Sequence, residues 1–473
     1  MGWWLRGGRG GEPRRGVGVL AALGCVLALG ACSVPGAGGA AAGQELPGGR
    51  ILRPVGPERV AEHGRTTLRV LADSGEREFL KRLVARFEKK YPNVRVEVET
   101  KASTDFFKTI VTTMSGEHPP DLVQGNQGYG VDGQLVRAGL LRPLDDVSHA
   151  YGWDLDHPGG TTDQLRWTPD GTLFGSGSLY GISQSNEYIG VFYNRSKLSE
   201  LGIRPPHSWA EFTAGLRKAK EAGELPLQLG NADQYPAEQL LGTIQAQKVP
   251  VNESRAWING VPGTTFATAG NREAARELRG WARKGYLGTG YNGVSADDAV
   301  SKFTAGKGVF MIAGSWNAPA VGGKLGDDAG FTVPRTADGR TVAAGAFGLP
   351  WHISAKSDAT DAAVAFLGMM QSRTGAQAMA DAGRLPVVTD GVDMPDRLGR
   401  QQAATGKRLL LGDGQTYYFD WASHSMLATI GSATQDLLTG RLSVGAYLRR
   451  IERDRAGFLA EQEAKTRGRG GGS

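Results

Sequence analysis

The segment "TTLRVLAD" (66–73) alternates apolar and polar positions with a period of two, which predicts a β-strand, and "NVRVEVET" (93–100) alternates strictly in the same way. Between them, "EREFLKRLVARFEKKYP" (76–92) sets Phe79, Leu80, Leu83, Val84 and Phe87 at helical spacing. The helical "DFFKTIVTTMSG" and a short strand around "DLVQG" (121–125) come next. A β-α-β start that repeats in this way predicts an α/β layered domain. Further along, "LPLQLG" is strand-like, and "GVFMIAG" reads as a buried strand that ends at Gly314.

The first residues change the picture. Arg6, Arg9, Arg14 and Arg15 precede an apolar stretch from Val17 to Ala31, the pattern of a secretory leader rather than a fold element. The stretch is short of the roughly 20 residues a membrane-spanning helix needs, and Gly18, Gly24 and Gly30 weaken it further. Its end, Leu29-Gly30-Ala31-Cys32, resembles the lipobox of bacterial lipoproteins, in which the signal is cut before the cysteine and the thiol carries diacylglycerol. Cys32 then becomes the mature N-terminus, and residues 32–65 form a flexible tether. Cys25 falls inside the leader, which leaves no disulfide, cysteine nucleophile or cysteine metal site in the mature chain. Arg14-Arg15 leaves the export route open between the general and twin-arginine systems.

Without the leader and tether, roughly 400 residues remain, enough for two substantial domains. The net charge of +6 owes +3 to the leader, from its four arginines and Glu12, so no nucleic-acid footprint is visible. The seven histidines show no HExxH and no paired spacing, so neither a metal nor another cofactor is expected.

The order and spacing of six segments carry a family resemblance: "FLKRLVARFEKKYPNVRVEVE"; "HPPDLVQGNQ" leading to "GLLRPLDDV"; "LYGISQSNEYIGVFYNRSKLSELGIRPPHSWAEF"; "AVSKFTAGKGVFMIAGSWNA"; "FGLPWHISAKSDATDAAVAFLGMM"; and "LLTGRLSVGAYLRRIERD". The chain resembles the sugar-type extracellular solute-binding proteins of bacterial ABC importers, the family that includes maltodextrin-binding proteins. The resemblance implies a two-lobed, periplasmic-binding-protein-like α/β fold with a cleft between the lobes. It places crossings near 186–194, 342–350 and 372–388. The first lobe is expected at 66–188 plus 345–372, the second at 190–342 plus 385–460, and a disordered basic, glycine-rich tail at 461–473. It further implies a monomer on the outer face of the cytoplasmic membrane, held by a lipid on Cys32, that captures a carbohydrate. Delivery would be to two membrane permease subunits driven by a cytoplasmic ATPase.

Candidate ligand groups follow from this frame. Gly128, Gly130 and Gly133 have G-x-G-x-x-G spacing, yet a dinucleotide site is rejected, because the second strand it needs falls on "LLRPLDDV", with Pro143 in its path. Asn126 and Gln127 follow a strand end, where open α/β sheets present ligand-facing groups; turn chemistry is the alternative. Asn186, Glu187 and Tyr188 begin a crossing and are expected at the cleft floor, to pair with sugar hydroxyls or to cap the hinge. Asn231 and Gln234, with Tyr235, follow the strand-like "LPLQLG". Arg384 either anchors a hydroxyl or carboxylate of the ligand or neutralises a nearby Asp. Among ten tryptophans, Trp316 and Trp351 each follow a strand-like run at the beginning of a loop, and Trp421 lies inside "TYYFDWASHS"; such rings stack on sugars or fill the core. The rival functions are a surface sugar sensor and a glycoside hydrolase. The hydrolase would have to recruit Asp121, Glu187 and Asp420, which no motif pairs, so no enzyme is expected.

Overall fold

The computed structural model describes residues 56–153 and 161–470, with the two-residue strands Glu45–Leu46 and Arg50–Ile51. The leader, Cys25 and Cys32 lie outside the described residues.

Two sheets organise the chain. In the first, the strand Thr66–Asp73 pairs in parallel with Val94–Lys101 on one side and Leu122–Gln124 on the other, and Trp351–Ile353 adds an antiparallel edge. Leu68, Val70 and Ala72 face one core and Leu71 the other, as a strand covered on both faces requires. The helix Arg77–Lys90 buries Phe79, Leu80, Leu83 and Phe87, the spacing read from the sequence, and ends with Lys89 and Lys90 where cations complement the helix dipole.

The second sheet is built around the nine-residue strand Asn186–Asn194. Phe310–Gly314, Ala329–Thr332 and Gly345–Phe347 all pair with it antiparallel. A near-continuous run of apolar residues suits a strand covered by helices on both faces, here including Trp209–Glu221, Tyr235–Gln245 and Arg397–Leu411. Helix Trp209–Glu221 opens on a capping box between Ser208 and Glu211, worth about 1 kcal/mol.

The chain changes lobe at three adjacent places. Phe347 pairs with Asn186 in the second sheet, and Ile182 bridges to Trp351 at the first, so 182–186 and 347–351 run side by side. The third passage joins them: Ser185 bridges to Pro386, the Asn186 amide donates to Leu385 O and the Val387 amide to Gln184 O.

Three expected boundaries need correction. Residues 186–188 and 345–347 belong to the second sheet, because the strand continues past the point where the sequence suggested a crossing. Within the expected tether, Pro57–Glu62 forms a 3-10 helix docked on the first lobe: Val60 is buried, the Gly56 amide donates to Asp361 Oδ1, and His63 lies 2.7 Å from Asp361 Oδ2. Residues 461–470 are not a separate tail but the end of the helix Val444–Gly470.

Candidate functional site

The loops at the carboxyl end of the first sheet, the three passages and one turn of the second lobe meet at the lobe junction. Arg384, on the third passage, lies at its centre. Its Nη2 is 2.5 Å from Glu187 Oε1 and 3.1 Å from Glu76 Oε1, and its Nη1 donates to Gly75 O at 3.1 Å. Gln124 donates to the same Glu76 oxygen at 3.0 Å, while its own Oε1 accepts the Asp73 amide. All of these side chains are largely buried. Burial pushes the Glu187 carboxyl up, Arg384 pulls it back and Glu76 pushes it up again. Burial works against the guanidinium, but the Glu76 and Glu187 charges outweigh it, so Arg384 is held more firmly protonated than usual. Glu76 Oε2 is buried without a partner.

Beside this network runs the loop 125–133. Gln127 Nε2 donates to Phe347 O at 2.8 Å and Gly348 O at 3.0 Å, tying the loop to the second passage. Asn126 is half-buried, and its amide donates to Asp132 Oδ1 at 2.9 Å. The glycine spacing here serves packing. Gly128 has φ +84, and an added Cβ would stand 2.5 Å from Trp421 Cβ; at Gly133 it would meet the Trp167 ring at 2.8 Å.

The facing wall belongs to the second lobe. The turn Phe419–Ala422 carries Trp421, whose carbonyl accepts the Tyr129 amide across the junction at 3.3 Å. Tyr417 (φ 65) and Tyr418 each stand 5.5 Å from the Trp421 ring, Phe174 of the first lobe meets it edge-on at 6.0 Å, and the Arg255 guanidinium lies 4.9 Å over Tyr417. The Tyr418 hydroxyl donates to Glu187 O at 3.4 Å. Burial and the charges of Asp233, Asp297 and first-lobe Asp73 raise the Tyr235 phenol, so the two walls lie within electrostatic reach of each other. Trp316 is half-buried, and its ring lies over Gly314, where a Cβ would come within 2.2 Å of it.

Of the residues singled out in the sequence, the structure gathers Asn126, Gln127, Glu187, Arg384 and Trp421 at the junction. Asn186 is buried there and accepts from Gln415 Nε2 at 2.9 Å, a hinge contact. Gln234, at φ 68, donates to Gln435, and Asn231 is fully buried, accepting the Ala237 amide and donating to Asn292. Two candidates fall elsewhere. Tyr188 fills the second-lobe core with its hydroxyl donating to Gln402 O at 2.6 Å, and Trp351 is a strand residue inside the first-lobe core, not the start of a loop. Of the carboxylates the hydrolase would recruit, Asp121 accepts from Arg69 and Ser357, and Glu187 is committed to Arg384. Sequence reasoning missed Glu76, Gln124, Tyr417 and Tyr418. The position of Glu76 just past the strand "TTLRVLAD" was the available signal. Among the described residues no three His, Cys, Asp or Glu side chains converge to hold a metal, and no helix is long and apolar enough to cross a membrane.

Two α/β lobes joined by adjacent strands, with polar and aromatic groups where they meet, define a two-lobed solute-binding protein. The chain belongs to the bacterial extracellular solute-binding proteins, whose sequence profile matches residues 72–377. It is 27% identical over 224 residues to the multiple sugar-binding protein of Streptococcus mutans serotype c, a match covering 45% of this chain and 52% of that protein. The chain thus spans about half the length of this curated relative. A chitin oligosaccharide binding protein has the same fold, with a TM-score of 0.69 at 21% identity over 84% of this chain and 99% of the other. The GacH receptor of Streptomyces glaucescens, solved with acarbose, superposes with a TM-score of 0.66 at 19% identity over 84% and 99%.

Proposed function

We propose that the chain captures a mono- or oligosaccharide between its lobes and delivers it to a pair of membrane permeases powered by a cytoplasmic ATPase, acting as a monomer anchored through a lipid on Cys32. The observation that carries this reading is the pairing, at one junction, of a buried network of carboxylates, amides and a guanidinium with an aromatic wall. Polar groups of that kind recognise sugar hydroxyls, and ring faces take the apolar faces of the sugar. In this reading Asn126, Gln127, Glu187, Arg384, Gln234, Trp316 and Trp421 line or shape the cleft, and Asn186 and Asn231 hold its walls. The nature of the relatives supports a binding protein over an enzyme.

Calorimetry against chitobiose, xylotriose, maltotriose, raffinose and galactose tests the capture: saturable binding of one of them is expected, and heats no larger than dilution for sugars of every class would overturn the reading. Two acyl chains at about 0.8 kcal/mol per buried CH₂ hold a protein firmly on a bilayer. Cys32→Ala is therefore expected in the medium or as uncleaved precursor, and a mature-sized product on membranes would refute the anchor.

A further inference from the structure

Behind the loop that carries Asn126 and Gln127 lies a buried imidazole. His352 is the middle residue of the strand Trp351–Ile353, and its ring stands against Gly125 and Gly181, where an added Cβ would come within 2.4 Å and 2.7 Å of it. Its Nδ1 lies 2.8 Å from Tyr180 O. A carbonyl oxygen only accepts, so Nδ1 carries a proton and the tautomer is fixed. Its Nε2 stands 3.2 Å from Asp132 Oδ1, an ion-pair distance although out of line for a hydrogen bond, and each of the two residues is 1% exposed. With no proton between these atoms, a lone pair would be pressed against a buried carboxylate, so the pair holds one. Asp132 in turn closes the loop. Its Oδ1 accepts the Asn126 amide at 2.9 Å, its own amide donates back to Asn126 O at 3.1 Å, and its Oδ2 is buried without a partner.

We propose that His352 and Asp132 are positioning residues for ligand capture: the proton between them fixes Asp132, and Asp132, through the Asn126 amide, fixes the loop that presents Asn126 and Gln127 at the lobe junction. The proposal rests on the reading of the junction as a sugar cleft. What meets the ring from the other segments is uncharged: the Tyr180 carbonyl and the backbones of Gly125 and Gly181. Among the described residues, Asp132 is the only charge that acts on the imidazole, and His352 the only one that acts on the carboxyl. Burial works against the imidazolium, but Asp132 and the Tyr180 carbonyl outweigh it, so His352 keeps its proton above the ordinary imidazole range. Burial also pushes the Asp132 carboxyl up, while His352 pulls it back. Both groups are thus held toward their protonated side. What the pair contributes is full below the unfolded values and is lost as pH rises through the folded ones, so the loop is released on the alkaline side of neutrality.

The test compares wild type, His352→Leu and the double variant His352→Leu with Asp132→Asn. Hydrogen exchange at the Asn126 amide is measured without ligand, and calorimetry then uses whichever sugar of the panel binds. At about pH 7, His352→Leu is expected to exchange that amide about tenfold faster and to bind about tenfold more weakly, because it leaves a carboxylate buried and unpaired. Adding Asp132→Asn should bring both readouts back to within about threefold of wild type, since Asn keeps an oxygen for the Asn126 amide and bears no charge. A packing role alone would make the second substitution add to the loss. A linkage of one pK unit is a tenfold change in affinity, so wild-type Kd is expected to rise about tenfold between about pH 7 and about pH 10, while the double variant stays flat. Wild-type exchange and affinity in His352→Leu, or no recovery in the double variant, would overturn the inference. If no sugar binds, faster exchange in His352→Leu with recovery in the double variant upholds the positioning pair while the sugar reading falls. Equal exchange in all three proteins overturns the pair itself. Should His352→Leu fail to fold, wild type decides: Asn126 protection that is constant from about pH 7 to about pH 10, after correction for the intrinsic rate, overturns the pair as well.

Discussion

Two sets of acids lie at or beside the lobe junction, and they are handled in opposite ways. Glu76 and Glu187 share one guanidinium, which meets both within 3.1 Å. For Glu238 and Asp420 burial pushes both carboxyls up, and no cation is among the groups that pull them back. Taking a carboxylate out of water costs several kcal/mol, and a well-placed cation offsets much of that cost; without one, the remaining relief is to hold a proton. The first set thus keeps fixed charges that define the hinge. In the second, Asp420 is pushed up to about 7, so its charge changes near neutral pH.

Removing the cation should have the largest effect. Arg384→Met leaves Glu76 and Glu187 buried and unpaired, and urea unfolding is expected to show a loss of about 3–5 kcal/mol, partly restored by adding Glu187→Gln. Wild-type stability in the single variant would show that the network contributes nothing. Next, Trp421 and Trp316 should separate by readout. Trp421→Ala is expected to destabilise by about 3–5 kcal/mol, as for a core ring. The half-buried Trp316, changed to Ala, should cost binding about 1–3 kcal/mol, by analogy with aromatic stacking on other flat ligands, and leave the melting temperature nearly unchanged. A Trp316→Ala protein that melts early yet binds normally would place that ring in the core. The smallest effect belongs to the acid pair. Burial pushes Asp420 up to about 7 in the folded protein, well above the ordinary aspartate range. Its contribution to stability is therefore full below the unfolded value and is lost as pH rises through the folded one. Asp420→Asn should gain on wild type across that window, by about 1–2 kcal/mol after screening at its partly exposed side. Parallel stability curves for the two proteins would remove the distinction between the acid sets.

The sequence made the first lobe more legible than the junction. Strand Thr66–Asp73 and helix Arg77–Lys90 lie within two residues of where periodicity put them, because each buries one regular face. Strand Asn186–Asn194 is apolar on both faces, so its pattern did not mark where pairing passes to the second sheet. Trp351 followed Gly-Leu-Pro and read as the start of a loop, although pairing with Gln124 makes it a strand residue. Glycines near the chain's end suggested disorder, but the helix begun at Val444 continues through Gly468 to Gly470. At the site, Arg384 was visible as a cation awaiting a partner. Its partner Glu76 was not, since Gly75, which shares the contact, lies 309 positions away and no local pattern links them.

The three passages between the lobes form, in mechanical terms, a short flat ribbon whose strands are cross-linked by hydrogen bonds at Ile182, Asn186 and Val387. A ribbon flexes across its thin dimension far more readily than within its plane, where neighbouring strands would have to slide and break those bonds. Separate tethers of the same length would let the lobes twist and shear as well as part. The ribbon therefore acts as a leaf hinge with one soft direction. On the proposed reading of the junction as a sugar cleft, release of the sugar would take work along that direction, and a partner that opened the protein would have to grip both lobes so that its pull fell across the ribbon's face.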